Sequence, residues 1–193
     1  EQLKSKNIIV FLPSKALLKQ IRAEWLSQEF KNGLIEHISV FSEKFAPHID
    51  EVANSLKKND FKIKNIVRKT EQIKIDFVGK YPDNVTGYTI FGWNYSKIKD
   101  HYWRKEFVVP SKFLNSFSQI SFFGREFNCP FNPEEYLTHA YGNWKKPLRS
   151  SDKKAYFNKN FKVNYLYLYN KFKNLILKTL YNLWCKLTNK NRL

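Results

Sequence analysis

Hydrophobic positions along this chain follow two spacings, and together they predict both strands and helices. Short apolar or alternating stretches predict strands at 6–11, 38–41, 71–78, 87–95 and 107–110, and a hairpin at 120–129. The clearest alternation lies in 71–78, where Ile73, Ile75 and Phe77 are interleaved with Lys74 and Asp76. Because neighbouring strand residues point to opposite faces, Lys74 and Asp76 are expected to share the face away from the apolar side chains.

Apolar residues spaced three and four apart predict helices at 14–30, 47–59, 133–141 and 162–187. Asn132 is expected to cap the helix at 133–141, Gly142 to end it, and Trp144 to pack against the sheet. The predicted fold class is α+β, a small mixed sheet with flanking helices, followed by a C-terminal amphipathic helix. We place one domain at 1–160 and a basic helical tail at 161–193.

Composition excludes several classes of protein. With 193 residues, 42% hydrophobic and 17% aromatic, the chain suits a single folded domain and excludes a disordered one. Two cysteines exclude a disulfide scaffold and a Cys-rich zinc site, although one bridge between them stays open. The chain begins at Glu1 and contains no Met, which is typical of a processed or partial chain.

The formal net charge is +17, which suits an anionic partner such as a nucleic acid, an anionic membrane or a phosphorylated ligand. An inherited lysine-rich composition is the alternative explanation. The lysines are spread along the whole chain, whereas a nucleic-acid surface usually concentrates them, so nucleic acid is the least favoured of these partners.

The most specific pattern lies at 121–147. It reads SFFGREFNCP, then FNPEEYL, and then, after three residues, YGNWKKP. This resembles the closing motif of the LicD and fukutin family, a hairpin "F-G-x-x-(V/F)-x-(V/C)-P" followed by "N-x-E-x-Y-L" and "Y-G-x-x-W-x-x-P". Weaker matches upstream, GLIEH at 33–37 and DFKI at 60–63, extend the resemblance over 33–150.

The resemblance implies a nucleotidyltransferase-like core and a transferase activity. Members of the family move phosphocholine, ribitol phosphate or a related phospho-alcohol from a CDP-linked donor to a glycan acceptor, with a divalent metal such as Mg²⁺ or Mn²⁺. The family's Asp-x-Asp metal pair is absent here, because His37 runs directly into Ile38 and no Asp occurs between Glu1 and Phe45. Two carboxylates normally hold such a cation, so the chain is expected to be inactive or weakly active.

One carboxylate of the family's metal site has a candidate counterpart in this chain. The segment IKIDF at 73–77 resembles a family strand whose Asp is the third metal-site carboxylate, which makes Asp76 the candidate catalytic and metal-binding residue. A second alignment, over 87–92, places Thr89 there instead. A solvent-facing strand residue is the alternative interpretation of Asp76.

Other polar residues are weaker candidates. Glu36 and His37 could replace the lost metal ligands, or could be an exposed loop pair. The remaining histidines lack ligand spacing and are expected on the surface; they are His48, His101 and His139. The segment WRK at 103–105, beside Tyr102, could stack on a base, although an aromatic turn over the core is commoner.

Three functions therefore stay open: a LicD/fukutin-type transferase, an inactive relative that binds glycan, nucleotide or membrane, and a basic nucleic-acid-binding domain. The tail at 162–187 either packs on the domain or lies on an anionic membrane, because it combines Tyr and Trp with lysines. The resemblance favours a membrane-associated protein, at the cytoplasmic face of a bacterial-type membrane or in the Golgi or ER lumen.

Overall fold

A computed structural model describes residues 6, 8–12, 37–79, 87–122, 125–146, 157–158, 161 and 164–190. Its strands are β1 (His37–Phe41), β2 (Lys62–Lys69), β3 (Gln72–Val78), β4 (Gly87–Ser96), β5 (His101–Arg104), β6 (Phe107–Pro110), β7 (Phe117–Phe122) and β8 (Arg125–Pro130). Its helices are α1 (Ser42–Phe45), α2 (Ile49–Lys58), α3 (Pro133–Tyr141) and α4 (Tyr165–Lys190). The predicted sheet with flanking helices and a C-terminal helix is confirmed.

The main sheet is built around β4. Strands β2, β3, β4, β5 and β6 follow one another as antiparallel neighbours, and β1 adds a parallel pairing to β4. The ten residues of β4 pair with β3 through 87–91, with β1 through 89–93 and with β5 through 94–96. Strands β7 and β8 form the predicted hairpin beside this sheet. The length of β4 therefore holds three neighbours in place.

The two faces of the sheet bury different clusters. On one face, Ile75, Phe77 and Ile90 pack with Val52 and Ala53 of α2. On the other face, buried aromatic residues of β4 pack with α3, β8 and the connection after β6; this cluster includes Phe91, Trp93, Val109, Phe113, Cys129, Tyr136, Leu137 and Trp144. The alternation predicted for β3 is confirmed, because Lys74 and Asp76 lie on the face away from Ile75 and Phe77.

Gly92 lets α1 approach β4 closely. A Cβ atom at this position would lie 3.1 Å from the Cα of Ser42 and closer still to the buried Ser42 hydroxyl. Such a contact is tighter than a side chain normally makes, so only glycine fits without movement of the helix.

Some predicted elements are corrected. The segment 6–11 is not a strand over its described residues, since only Phe11 forms isolated bridges, to Ser39 and Asn128. Strands β2 and β5 were not predicted, because neither shows a clear apolar alternation. The predicted helix at 14–30 lies outside the described residues, as does Gly124 at the tip of the predicted hairpin.

The start of α3 differs from the prediction, although its end does not. Asn132 has a left-handed backbone with φ of 49°, and its amide donates to Glu135 at 3.0 Å instead of capping the helix. A side-chain cap needs an extended backbone at that residue, which explains the difference. Gly142 follows the helix with φ of 65°, a conformation that favours glycine.

The cysteines and the helix termini complete the fold. Cys129 is a buried free thiol, and burial raises its pKa to about 11. Asn164 anchors the start of α4. Its side-chain amide donates to the carbonyl of Lys105 at 2.6 Å, and its side-chain oxygen accepts from the backbone amide of Tyr167 at 3.3 Å.

Among the described helices, none combines the length and apolar character needed to cross a bilayer.

His139 is packed rather than at the surface, which corrects the prediction for this histidine. It lies between the rings of Phe113 and Phe161, and Nε2 is 3.2 Å from the carbonyl oxygen of Val108. Burial lowers its pKa, the charge of Lys112 lowers it further, and the hydrogen bond to Val108 opposes both.

We therefore expect acid to destabilise the fold through His139. The unfolded chain binds a proton near pH 6.5 that the folded chain resists, so stability is lost as pH falls below that value. Urea unfolding at about pH 7.5 and pH 5 measures this loss. His139→Gln keeps a donor for Val108 but does not titrate, so it should lose less stability over this range. An unchanged loss in the variant would contradict the assignment.

Candidate functional site

A row of polar side chains crosses four adjacent strands. Asn65 of β2 is paired with Asp76 of β3, Asp76 with Thr89 of β4, and Thr89 with His37 of β1. Residues that are paired across strands point to the same face of a sheet. The row therefore brings His37 and Asp76 together on the face that carries Phe91. The two alternative alignments of the family carboxylate, Asp76 and Thr89, fall on neighbouring positions of this row.

Asp76 accepts hydrogen bonds at both carboxylate oxygens. Thr89 Oγ1 donates to Oδ1 at 2.9 Å, while the ammonium group of Lys74 forms an ion pair with Oδ2 and Asn65 Nδ2 lies 3.4 Å from the same oxygen. The side chains of Lys74 and Asp76 are 22% and 24% exposed, so this ion pair is largely shielded from water. Asp76 is therefore held in one orientation, and its side chain lines a cleft in the surface of the protein.

Arg104 brings a second cation to the same cleft. Its guanidinium carbon lies 3.7 Å above the centre of the Phe91 ring and near the rings of Trp93 and Phe107. Nε is buried and finds no hydrogen-bond acceptor among the described residues. Burial lowers the pKa of Arg104 to about 10, so the group remains charged at neutral pH.

The cleft has a volume of about 320 Å³, within the range of roughly 300–1,000 Å³ that is usual for small-molecule sites. Its polar lining consists of His37, Gln72, Lys74, Asp76, Thr89, Arg104 and Lys105. Its aromatic lining consists of Phe91, Trp93, Phe107, Phe157 and Phe161. Burial lowers the pKa of Lys105, although nearby carboxylates of Glu106 and Asp76 oppose the shift. Three cations and one carboxylate give the described lining a net positive charge.

The polar side chains that line this cleft do not form a suitable set of ligands for a divalent cation. Mg²⁺ and Mn²⁺ take several oxygen ligands, preferably from more than one carboxylate, whereas Asp76 already accepts from Lys74, Thr89 and Asn65. Three positive side chains beside it would also repel a cation. Among the described residues, no group of three His, Cys, Asp or Glu side chains could hold a metal. Glu36, the third predicted ligand, lies outside those residues.

A second groove lies on the same side of the sheet. It has a volume of about 350 Å³ and is lined by Ile9, Phe41, Glu43, Lys44, Trp93, Tyr95, Tyr102, Leu114, Asn115 and Phe117. The ring centres of Tyr95 and Tyr102 are 5.0 Å apart, and the Tyr102 hydroxyl donates to Asn115 Oδ1 at 3.3 Å. Trp93 lines both this groove and the cleft, so two ligands could be held as neighbours.

The structure thus brings together in one cleft residues that are distant from one another in the sequence. His37 and Asp76 share the cleft, and the alternation in 71–78 had already placed Lys74 on the same face as Asp76. The segment WRK at 103–105 was predicted either to stack on a base or to form an aromatic turn over the core, and the position of Arg104 and Lys105 in the cleft was not predicted. The signal that could have found them is two adjacent cations directly after aromatic residues.

Comparisons with known proteins add no identification. No family model matches this chain, and no curated protein sequence matches it.

Proposed function

We propose that this chain binds a CDP-linked phospho-alcohol in the cleft beside Asp76, as a LicD/fukutin-type protein whose own transfer activity is weak or lost. The observation that carries the proposal is the convergence of Lys74, Arg104 and Lys105 on one aromatic-lined cleft. The motif at 121–147 is the reason to choose this donor class among phosphorylated ligands.

Charge and shape support a diphosphate as the bound group. Arg104 presents a buried Nε donor that finds no acceptor among the described residues, and a guanidinium matches phosphate oxygens well. Lys74 and Lys105 add two further cations without the need for a metal. The faces of the aromatic residues beside them offer stacking surfaces for a cytosine base.

The alternative function is an active transferase, and the second groove is the observation that favours it. Its aromatic side chains, with Glu43 and Asn115, suit the apolar faces and hydroxyl groups of a glycan acceptor. In the transfer, an acceptor oxygen would form a bond to the phosphorus that carries the alcohol. The bond from that phosphorus to the CMP oxygen would break, with its electron pair leaving on CMP. Asp76, the one carboxylate in the described cleft lining, would take the hydroxyl proton.

Calorimetric titration with CDP, first in EDTA and then with Mn²⁺, tests the proposal. We expect CDP to bind in EDTA, because the cations of the chain contact the phosphates directly. Asp76→Asn should then raise the affinity for CDP roughly tenfold, since it removes a negative charge beside the ligand. The matched control is Asp50→Asn, which makes the same charge change on α2, on the other side of the sheet.

The outcomes distinguish an inactive CDP-binding protein from an active transferase. Binding that needs Mn²⁺ and is lost in Asp76→Asn would overturn the direct contact and indicate a metal-dependent transferase. Release of CMP from CDP-choline or CDP-ribitol, measured beside the titration, would establish the transferase. CDP binding without CMP release supports the inactive relative. Failure of CDP to bind in any condition would refute the proposal.

A further inference from the structure

Helix α4 exposes many large apolar side chains between Tyr165 and Trp184. The exposed fraction is 72% for Tyr165, 64% for Phe172, 56% for Leu180 and 61% for Trp184. The others are Leu168, Tyr169, Leu175, Ile176, Leu177, Tyr181 and Leu183. An apolar surface of this extent on a folded protein usually marks an interaction site.

Most apolar and most polar residues of α4 lie on different sides, although Lys173 falls on the apolar side. Residues spaced three and four apart lie on one side of a helix, which places Phe172, Ile176, Leu180 and Leu183 together. The same spacing places a polar set on the opposite side, namely Lys171, Asn174, Lys178 and Asn182. The helix is therefore amphipathic, with lysines beside a wide apolar face.

The charge of α4 identifies the kind of partner. Its sequence contains five lysines and no Asp or Glu, so every charged group on the helix is positive. Tyr and Trp side chains are distributed among the apolar residues, and these side chains favour the boundary between water and lipid. A positive helix with an exposed apolar face complements a surface that is negative outside and apolar beneath.

We propose that α4 lies in the plane of an anionic lipid surface, with Phe172, Ile176 and Leu180 inserted among the acyl chains and its lysines at the head groups. Asn164 holds the start of the helix against Lys105, a residue of the cleft, so the bound lipid surface would lie close to the cleft. This inference does not depend on what the cleft binds.

Co-sedimentation of the full chain with vesicles tests it. One set contains equal parts of phosphatidylcholine and phosphatidylserine, and the other contains phosphatidylcholine alone. We expect the chain to bind the anionic vesicles. The triple variant Phe172→Ser, Ile176→Ser, Leu180→Ser keeps the net charge and should weaken that binding by roughly a hundredfold or more.

Two charge variants separate the helix from the general basicity of the chain. Lys171→Gln, Lys173→Gln, Lys178→Gln should weaken binding to anionic vesicles by about fivefold per lysine and leave the weaker binding to neutral vesicles unchanged. The matched control, Lys57→Gln, Lys58→Gln, Lys62→Gln, removes the same charge from exposed positions on α2 and β2 and should have little effect.

Four results would overturn the proposal. Equal loss of binding in both lysine variants would mean that overall charge alone holds the chain to lipid. Unchanged binding in the serine variant would mean that the apolar face is not inserted. A serine variant that melts early, or an intact chain that is dimeric and ignores vesicles, would show that the face is covered by protein instead.

Discussion

Replacing Trp144 by Ala is expected to lower the free energy of unfolding by about 3–5 kcal/mol, the usual cost of removing a large buried aromatic side chain. Trp144 is 3% exposed and packs in the cluster that joins α3 to the sheet. Its indole Nε1 also donates to Thr138 Oγ1 at 3.2 Å. Urea denaturation followed by circular dichroism measures the change.

Trp144→Phe and Lys145→Ala provide the comparison. Trp144→Phe keeps a ring in the cluster and should cost less than Trp144→Ala. Lys145 is the neighbouring exposed residue and forms a surface ion pair with Glu134 at 3.0 Å, so its removal should cost at most about 1 kcal/mol. A loss of less than about 0.5 kcal/mol in Trp144→Ala would show that the closing motif does not support the fold.

Replacing Arg104 by Met is expected to weaken CDP binding by roughly thirtyfold or more while leaving stability unchanged or higher. Removal of a desolvated charge that contacts a ligand charge commonly costs about 2–5 kcal/mol of binding. The fold depends little on that charge, because Nε finds no acceptor among the described residues and the cation–π contacts with Phe91, Trp93 and Phe107 only partly offset the cost of burying it. An unbranched apolar side chain can occupy the same space.

Calorimetry with CDP and a thermal melt are needed together for this variant. Lys97→Met makes the same charge change at an exposed turn after β4 and should alter neither measurement. A variant that loses both affinity and stability would indicate that Arg104 supports the fold. Unchanged affinity would show that the phosphates bind elsewhere.

The sequence predicted the elements whose residues show a clear local pattern and missed β2 and β5, which show none although they pair with strands that are adjacent in the sequence. The alternation in 71–78 was enough to place Asp76 on the polar face of β3, because the period of a strand is a local property. Strand β5 has four residues, all partly buried, and owes its position to pairing with β4 and β6. Arg104 therefore could not be placed in the cleft without the pairing of the strands.

The cap of α3 shows a second kind of limit. Asn132 is a favoured capping residue, and sequence statistics alone predict that role. Its backbone is left-handed instead, and its side-chain amide donates to Glu135. The position of the helix was confirmed because Pro133 and Gly142 act through backbone geometry, which is read directly from residue type.

The parallel pairing of β1 with β4 has a consequence for how the cleft assembles. His37 and Thr89 are neighbours across two strands that are about fifty residues apart in the chain, whereas β2, β3 and β4, and then β4, β5 and β6, join neighbours in sequence. Closing such a long loop costs entropy before any contact is gained, so distant pairings form slowly. The antiparallel strands should therefore assemble first, with Asp76, Arg104 and Lys105 already in place. Strand β1 would pair last, so the side of the cleft that His37 lines would be the last part to form during refolding.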